Sequence, residues 1–231
     1  MFPLKDNIPA RQFPIVNTWI IVINILIFLY ELQMGPQLES FLIEWGFTPA
    51  RFFERQLANF FDFSRFYTVF SSMFLHGSLF HVLSNMWMLW IFGDNVEDNM
   101  GHGRYLVFYL VCGFLSVFAQ GMLSMSSMVP LVGASGAISG VLGAYFVLYP
   151  GARVLTLVPI FILFYLVELP AYFFLGLWFL IQAIQGSAHI LTSDAEFQGG
   201  IAWWAHIGGF AAGFILVNFF RIKKPARKRK W

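Results

Sequence analysis

The chain has 231 residues, 58% of them hydrophobic and 11% charged, with 29 phenylalanines and a mean hydropathy of +0.69. A soluble domain carries about 25% charged residues, so this supply excludes a water-covered globule and points to the bilayer as solvent. The formal net charge is only +2, yet seven of the fourteen Lys and Arg residues lie in residues 221–230, Arg-Ile-Lys-Lys-Pro-Ala-Arg-Lys-Arg-Lys. A basic run beside a terminal apolar stretch fixes orientation and sits near anionic headgroups; no nucleic-acid partner is expected from it. The single cysteine, Cys112, excludes an intramolecular disulfide and lies in an apolar stretch, where it reads as a small hydrophobe.

A crossing needs about 20 mostly apolar residues. Ile15–Gln33 is the first candidate, with Asn17 and Asn24 as its strongly polar interior groups; it is too long for a signal h-region of about 7–15 residues. Residues 35–65 mix aromatics with Arg51, Glu54, Arg55, Asp62 and Arg65, which predicts a loop lying at the interface. The second span ends at Gly93 and begins between Phe66 and Leu79. Tyr105–Ser124 is the third and Val132–Tyr149 a short fourth. Val154–Gln185 is too long for one straight span and is broken at Glu168-Leu-Pro170, so Ala171–Gln185 with part of what precedes it reads as one tilted or bent helix. Ile201–Phe220 is the last.

The expected fold is therefore all-α: a polytopic membrane protein with six transmembrane helices in residues 15–220. Residues 1–14 form a cytoplasmic N-terminus and residues 221–231 a basic cytoplasmic tail. Charge placement tests this count. With the N-terminus inside, Lys5, Arg11, Arg104, Arg153 and the seven tail residues face the cytoplasm, against Arg51, Arg55 and Arg65 outside. That asymmetry satisfies the positive-inside rule; a seventh crossing would put the basic tail outside.

Ionisable groups inside spans are expensive and mark function by default. His102 and His189 are expected in loops, and His76 near the outer entry of the second span, bracing the outer loop. His81 and Asn85 are four apart and share one helical face. Ser135 opens the fourth span in Gly-Ala-Ser-Gly and His206 lies near the start of the last in Ala-His-Ile-Gly-Gly. Ser135 precedes Leu148 by thirteen residues and His206 precedes Phe220 by fourteen. At about 1.5 Å per residue, both lie roughly 20 Å from the cytoplasmic ends. Gly133, Gly136, Gly140 and Gly143 form a stripe on one span, and Gly209 and Gly213 lie near the His206 face of the other. Such small-residue faces let helix backbones approach closely in lipid.

This is the requirement for acyl transfer. A serine needs a base to take its proton, and a neutral histidine can take it and return it to the departing amine. The acid nearest this level is Glu168, which the reading does not place beside His206, so a dyad is expected. Donors suited to the tetrahedral oxyanion are the Ser135 amide, the Asn85 side-chain amide and His81; a helix starting at Ser135 also favours an anion there. Alone, Ser135 is an ordinary small residue of a tight helix pair, and His81 a buried histidine bonded to a carbonyl.

Together, His76-x4-His81-x3-Asn85, Gly133-Ala-Ser135-Gly136 and Ala205-His206-x2-Gly209-x3-Gly213 resemble the signature of the rhomboid proteases, in that family's order. Gly93-Asp-Asn-Val-Glu-Asp-Asn-Met-Gly-His-Gly-Arg-Tyr105 is similar to the family's loop between the second and third spans. The resemblance covers about Phe66 to Gly213. It implies a bacterial-type six-helix core in the inner or plasma membrane, cleavage of single-pass transmembrane protein substrates near helix-destabilising, small-residue sites, and no cofactor. It also implies Ser135 and His206 as catalytic pair, with His81 and Asn85 in the oxyanion hole. Two positions depart from the family pattern. Ser139 stands where many members carry a Tyr that stacks on the histidine, and Ser64-Arg65 where Trp-Arg is common. Metalloprotease chemistry is disfavoured, because there is no His-Glu-x-x-His, and no metal site is expected. Two other readings stay open: a rhomboid relative that binds or chaperones without catalysis, and a transporter.

Overall fold

A computed structural model of the protein describes residues 1–58, 63–191 and 202–222. Most of the basic tail, from residue 223 on, therefore lies outside the described residues. The chain is mostly helical: α1 (Ile15–Glu31), α2 (Leu38–Trp45), α3 (Pro49–Ala58), α4 (Tyr67–Ser71), α5 (Leu79–Met100), α6 (His102–Leu123), α7 (Ser135–Leu148), α8 (Ala171–Leu191) and α9 (Trp203–Phe220). Three strands, β1 (Phe2–Asp6), β2 (Arg153–Ile160) and β3 (Leu163–Pro170), form an antiparallel sheet in the order β1-β2-β3.

Among the described residues, three helices, His102–Leu123, Ala171–Ala188 and Trp203–Phe220, are long and apolar enough to cross a bilayer. A fourth crossing results if α1 and Gly35–Trp45, bent by 115°, are one broken span. These apolar spans make the chain an integral membrane protein. Six crossings were expected, and the other helices fall outside this set for local reasons. With 17 residues α1 is about 26 Å long, and with 14 residues α7 is about 21 Å, both short of a hydrocarbon core of about 30 Å. The third, α5, carries Asp94, Glu97 and Asp98.

Those acids correct the loop expected from Gly93 to Tyr105. Gly93–Met100 continues α5, and the turn into α6 is Gly101 alone, at φ +78°, a left-handed conformation that glycine adopts without a Cβ penalty. The Glu97 carboxylate accepts the backbone N–H groups of Val16 and Asn17 at 2.9 and 2.7 Å, satisfying first-turn donors of α1 that have no partner within the helix. His102, expected in a loop without a role, sits at the start of α6 against the same carboxylate; His189, also expected in a loop, lies within α8. In the polar interior of α1, Asn24 donates to the Ile20 carbonyl at 2.7 Å, and Asn17 is partnered on both sides. Asn17 donates to the Leu89 carbonyl at 3.1 Å and accepts from the Tyr105 hydroxyl at 2.7 Å. This contact requires Gly93, where a Cβ would meet Asn17 Cγ at 2.6 Å.

The second correction is at residues 153–170, part of which was expected to join the helix of Ala171–Gln185. They form a hairpin with register Val154↔Leu169 to Ile160↔Leu163. Val154, Thr156, Val158, Ile160 and Val167 are β-branched and stiff at χ1, which favours a pleated strand, and Pro159 cannot donate in a helix. The two-residue turn puts Phe161 at φ +53°, a conformation that costs a side chain about 1–2 kcal/mol. Pro170 is thus the junction of β3 with α8, not a bend within a longer helix. The sheet is tied to α5 by Trp87, whose Nε1–H donates to the Pro3 carbonyl at 2.7 Å.

The interfacial segment folds as α2 and α3. Phe47 and Phe52 are buried with Val69 and Val117, and Phe53, Phe66, Phe114 and Phe118 pack around them. Arg65, beside Ser64, pairs with Glu44 at 3.5 Å, and the Tyr67 hydroxyl donates to Glu44 at 2.8 Å. That hydrogen bond, with the guanidinium beside it, holds the Glu44 carboxyl below its ordinary value.

Candidate active site

The site lies where α5, α7 and α9 begin, away from the sheet. Two glycine faces bring α7 and α9 together. A Cβ on Gly209 would meet Gly136 C at 3.0 Å and the Gly136 carbonyl oxygen more closely; one on Gly213 would meet Gly140 C at 2.6 Å and Cα at 2.7 Å. Across from Phe210 and Phe214, Gly143 is equally tight, with Phe214 N at 3.0 Å from the position a Cβ would take. Backbone contact of this kind is available only without side chains.

Its consequence is a contact between residues 71 apart in sequence: Ser135 Oγ lies 2.8 Å from His206 Nε2. Both side chains are part-buried. Ser135 is the first residue of α7, so its backbone N–H is among the donors without an intrahelical acceptor. Ser139, one turn on, donates its hydroxyl to the Ser135 carbonyl at 2.6 Å. Gly133, placed on the glycine stripe by its spacing, instead precedes the helix at φ +124°. A Cβ there would meet His81 Cε1 at 2.6 Å and Nε2 at 2.7 Å.

On α5, Ser78 caps the helix by accepting the His81 backbone N–H at 3.2 Å. His81 and Asn85, one turn apart, line a cavity of about 510 Å³ that also borders Val132, Ser135, Ala202 and His206. Asn85 Nδ2 is 3.0 Å from Nε2 of the fully buried His76. An amide nitrogen donates, so that His76 nitrogen accepts, and the second Asn85 N–H is left for the cavity. The His76 and His81 rings meet edge-on at 5.0 Å between centroids. Thus all four candidate residues, Ser135, His206, Asn85 and His81, border one cavity.

Three neighbours escaped the sequence reading. Glu31, at the end of α1, is buried and accepts the His76 backbone N–H at 3.1 and 3.2 Å. Among the described residues, Glu31 thus touches a neighbour of the site, whereas Glu168 lies in β3 opposite Leu155. Gln182 of α8 places Oε1 2.7 Å from His206 Nδ1, and Trp178 lies one turn away, its ring 5.9 Å from the imidazole. The available signal was an amide inside an apolar run. Among the described residues, no group of three or more His, Cys, Asp or Glu is placed to hold a metal ion.

A helical membrane protein with a serine hydroxyl on a histidine nitrogen, inside a cavity lined by amide donors, is the class that fold and geometry define. The family follows from comparison: residues 64–223 match the Rhomboid domain family, and the chain belongs to that family. It is 29% identical over 120 residues to the Rhomboid protease GlpG of Salmonella choleraesuis, covering 52% of this chain and 39% of that protein. The proteins of the same name from Salmonella newport and Salmonella typhimurium are 28% identical over the same 52% and 39% shares. The matched part thus spans well under half the length of these curated relatives.

Proposed function

We propose that the chain is a serine-type endopeptidase that cleaves single-pass transmembrane substrates within the membrane. The observation that carries this reading is the 2.8 Å contact between Ser135 Oγ and His206 Nε2 at the wall of the shared cavity. In this mechanism His206 takes the Ser135 proton as the hydroxyl attacks the scissile carbonyl, then delivers it to the departing amine. The oxyanion is met by the Ser135 amide, Asn85 Nδ2 and His81, each donor of this kind being worth roughly 3–4 kcal/mol. A water then hydrolyses the acyl-enzyme by the reverse proton path.

The same reading takes six crossings within residues 15–220, with both termini cytoplasmic, the 221–231 tail at the inner face of a bacterial inner membrane and the cavity opening to the other side. Short α1 and α7 fit this scheme if the bilayer thins or the helices sit among longer neighbours. The test is cleavage of a panel of single-pass substrates by the purified chain in detergent and liposomes. Wild type cuts, Ser135→Ala and His206→Ala do not, and a fluorophosphonate labels wild type only. Activity that survives Ser135→Ala sinks the mechanism.

A further inference from the structure

A base must present a lone pair to its nucleophile, and the opposite ring nitrogen decides whether it does. In His206 that nitrogen, Nδ1, faces Gln182 Oε1 at 2.7 Å. An amide oxygen only accepts, so Nδ1 carries the ring proton and donates. The neutral ring then has its free lone pair on Nε2, the atom 2.8 Å from Ser135 Oγ. Gln182 is 7% exposed, so solvent competes little for its carbonyl.

The contact belongs to a larger docking of α8 on α9. Trp178, Gln182 and Gly186 are spaced four apart on one face of α8. Trp178 lies against His206 at 5.9 Å and 35° and against Phe210 at 6.2 Å. At Gly186 a Cβ would already be 3.2 Å from Trp203 Cβ. Trp203 in turn meets the imidazole edge-on at 6.4 Å. The indole of Trp178 thus flanks the histidine at a site where Ser139 offers no ring. Among the described residues, the hydrogen-bond and ring partners of His206 are Ser135, Gln182 and these two indoles; His81, across the cavity, is the titratable group that faces it, and no carboxylate hydrogen-bonds it.

We propose that Gln182 is a positioning residue that holds His206 in its Nδ1-protonated form, with Trp178 restraining the ring, so that α8 supplies the orientation a triad takes from an acid. The inference rests on the serine-protease reading. It also separates two functions that a carboxylate combines, because a neutral amide fixes the tautomer but stabilises the imidazolium less than a carboxylate does. Withdrawal of α8 from α9 would release both contacts at once.

The experiment uses the full chain in detergent as wild type, Gln182→Leu, Gln182→Glu and Trp178→Leu. Four quantities are read: kcat and KM on a single-pass reporter substrate, the pH profile of kcat/KM, the melting temperature, and the ring 15N signals of labelled histidine, with His206→Ala assigning the resonance. Gln182→Leu is expected to lower kcat about 10–100-fold, less than the roughly 10²–10⁴-fold that a general base contributes as a whole, with KM and melting temperature near wild type. Gln182→Glu keeps activity and moves the acidic limb to higher pH, because a carboxylate beside the ring favours the protonated base. Trp178→Leu gives a smaller kcat loss.

In wild type the His206 ring proton is expected on Nδ1, and in Gln182→Leu a share of it on Nε2. A wild-type proton on Nε2, or Gln182→Leu with wild-type kcat and an unmoved acidic limb, overturns the proposal. So does a kcat loss that tracks a fall in melting temperature and is not rescued by Glu. Should wild type neither cleave the panel nor react with fluorophosphonate, the protease reading fails, and the ring 15N signals still decide the Gln182 contact.

Discussion

Ser135 Oγ and His206 Nε2 are 2.8 Å apart although α7 and α9, which carry them, are separated by the hairpin and α8. The contact depends on Gly209 and Gly213, whose missing side chains let α9 lie on the Gly136 and Gly140 backbone; Gly136 and Gly140 in turn leave room for Ser116 and Cys112 of α6.

On the proposed mechanism, Ser135→Ala and His206→Ala each reduce cleavage to background, and the double variant is no worse than either single one, because the two groups act as a unit. Initial rates of reporter cleavage measure this. A double variant far below both singles would show that the two residues act independently.

Replacing Asn85 by Ala removes one cavity donor while leaving the Ser135–His206 contact in place. The expected loss is about 10²–10³-fold in kcat with little change in KM, the signature of a donor used only in the transition state. Because Asn85 also contacts His76 at 3.0 Å, His76→Ala serves as the comparison. Its effect should appear first in the melting temperature, since His76 is buried away from the cavity and tied to Glu31.

Gly213→Val tests the helix contact itself. Its Cβ would meet the backbone of Gly140, with Cα at 2.7 Å, and backbone cannot swing aside. Overpacking of this kind costs about 1–3 kcal/mol, so the melting temperature should fall and cleavage with it, although no reacting group has been changed. Thermal melts in detergent read the first effect. At Gly103, where nothing lies within 4 Å of a built Cβ, Val should do neither.

The sheet gives a pH prediction. Burial raises the Asp6 carboxyl above its ordinary value, against lowering by the Tyr145 hydroxyl that donates to it. Asn95 Nδ2 also donates to it, at 3.0 Å. A folded state that holds a proton more tightly than the unfolded chain loses stability as pH rises from the unfolded value through the folded one. Wild type should therefore lose melting temperature from about pH 4 upward by more than Asp6→Asn does. Parallel melts between pH 4 and pH 7 measure the difference, and equal slopes would show that Asp6 contributes nothing.

Much of this protein was legible because membrane helices are local. The apolar runs that became α1, α6 and α9 are bounded within a few residues of the spans read from composition. The polar residues inside them stood out because the bilayer makes each one expensive. Ser135, His206, Asn85 and His81 could be singled out for that reason, and the spaced glycines indicated which helices meet. The hairpin at 153–170 was missed because a short apolar run has no period that separates strand from helix. There β-branching, Pro159 and pairing with β1 decide, and β1 is about 150 residues earlier in the chain.

What the sequence determined by itself is the solvent, the apolar spans, the residue types available for chemistry and the axial level of Ser135 and His206, all of which follow from composition and from rise per residue. What only the tertiary structure decided is which neighbours complete the site: Gln182 on Nδ1 of His206, Trp178 beside its ring, and His76 behind Asn85. Those pairings depend on how α5, α8 and α9 rotate about their axes. Rotation is fixed by side-chain packing across the bundle, which no single stretch of sequence contains.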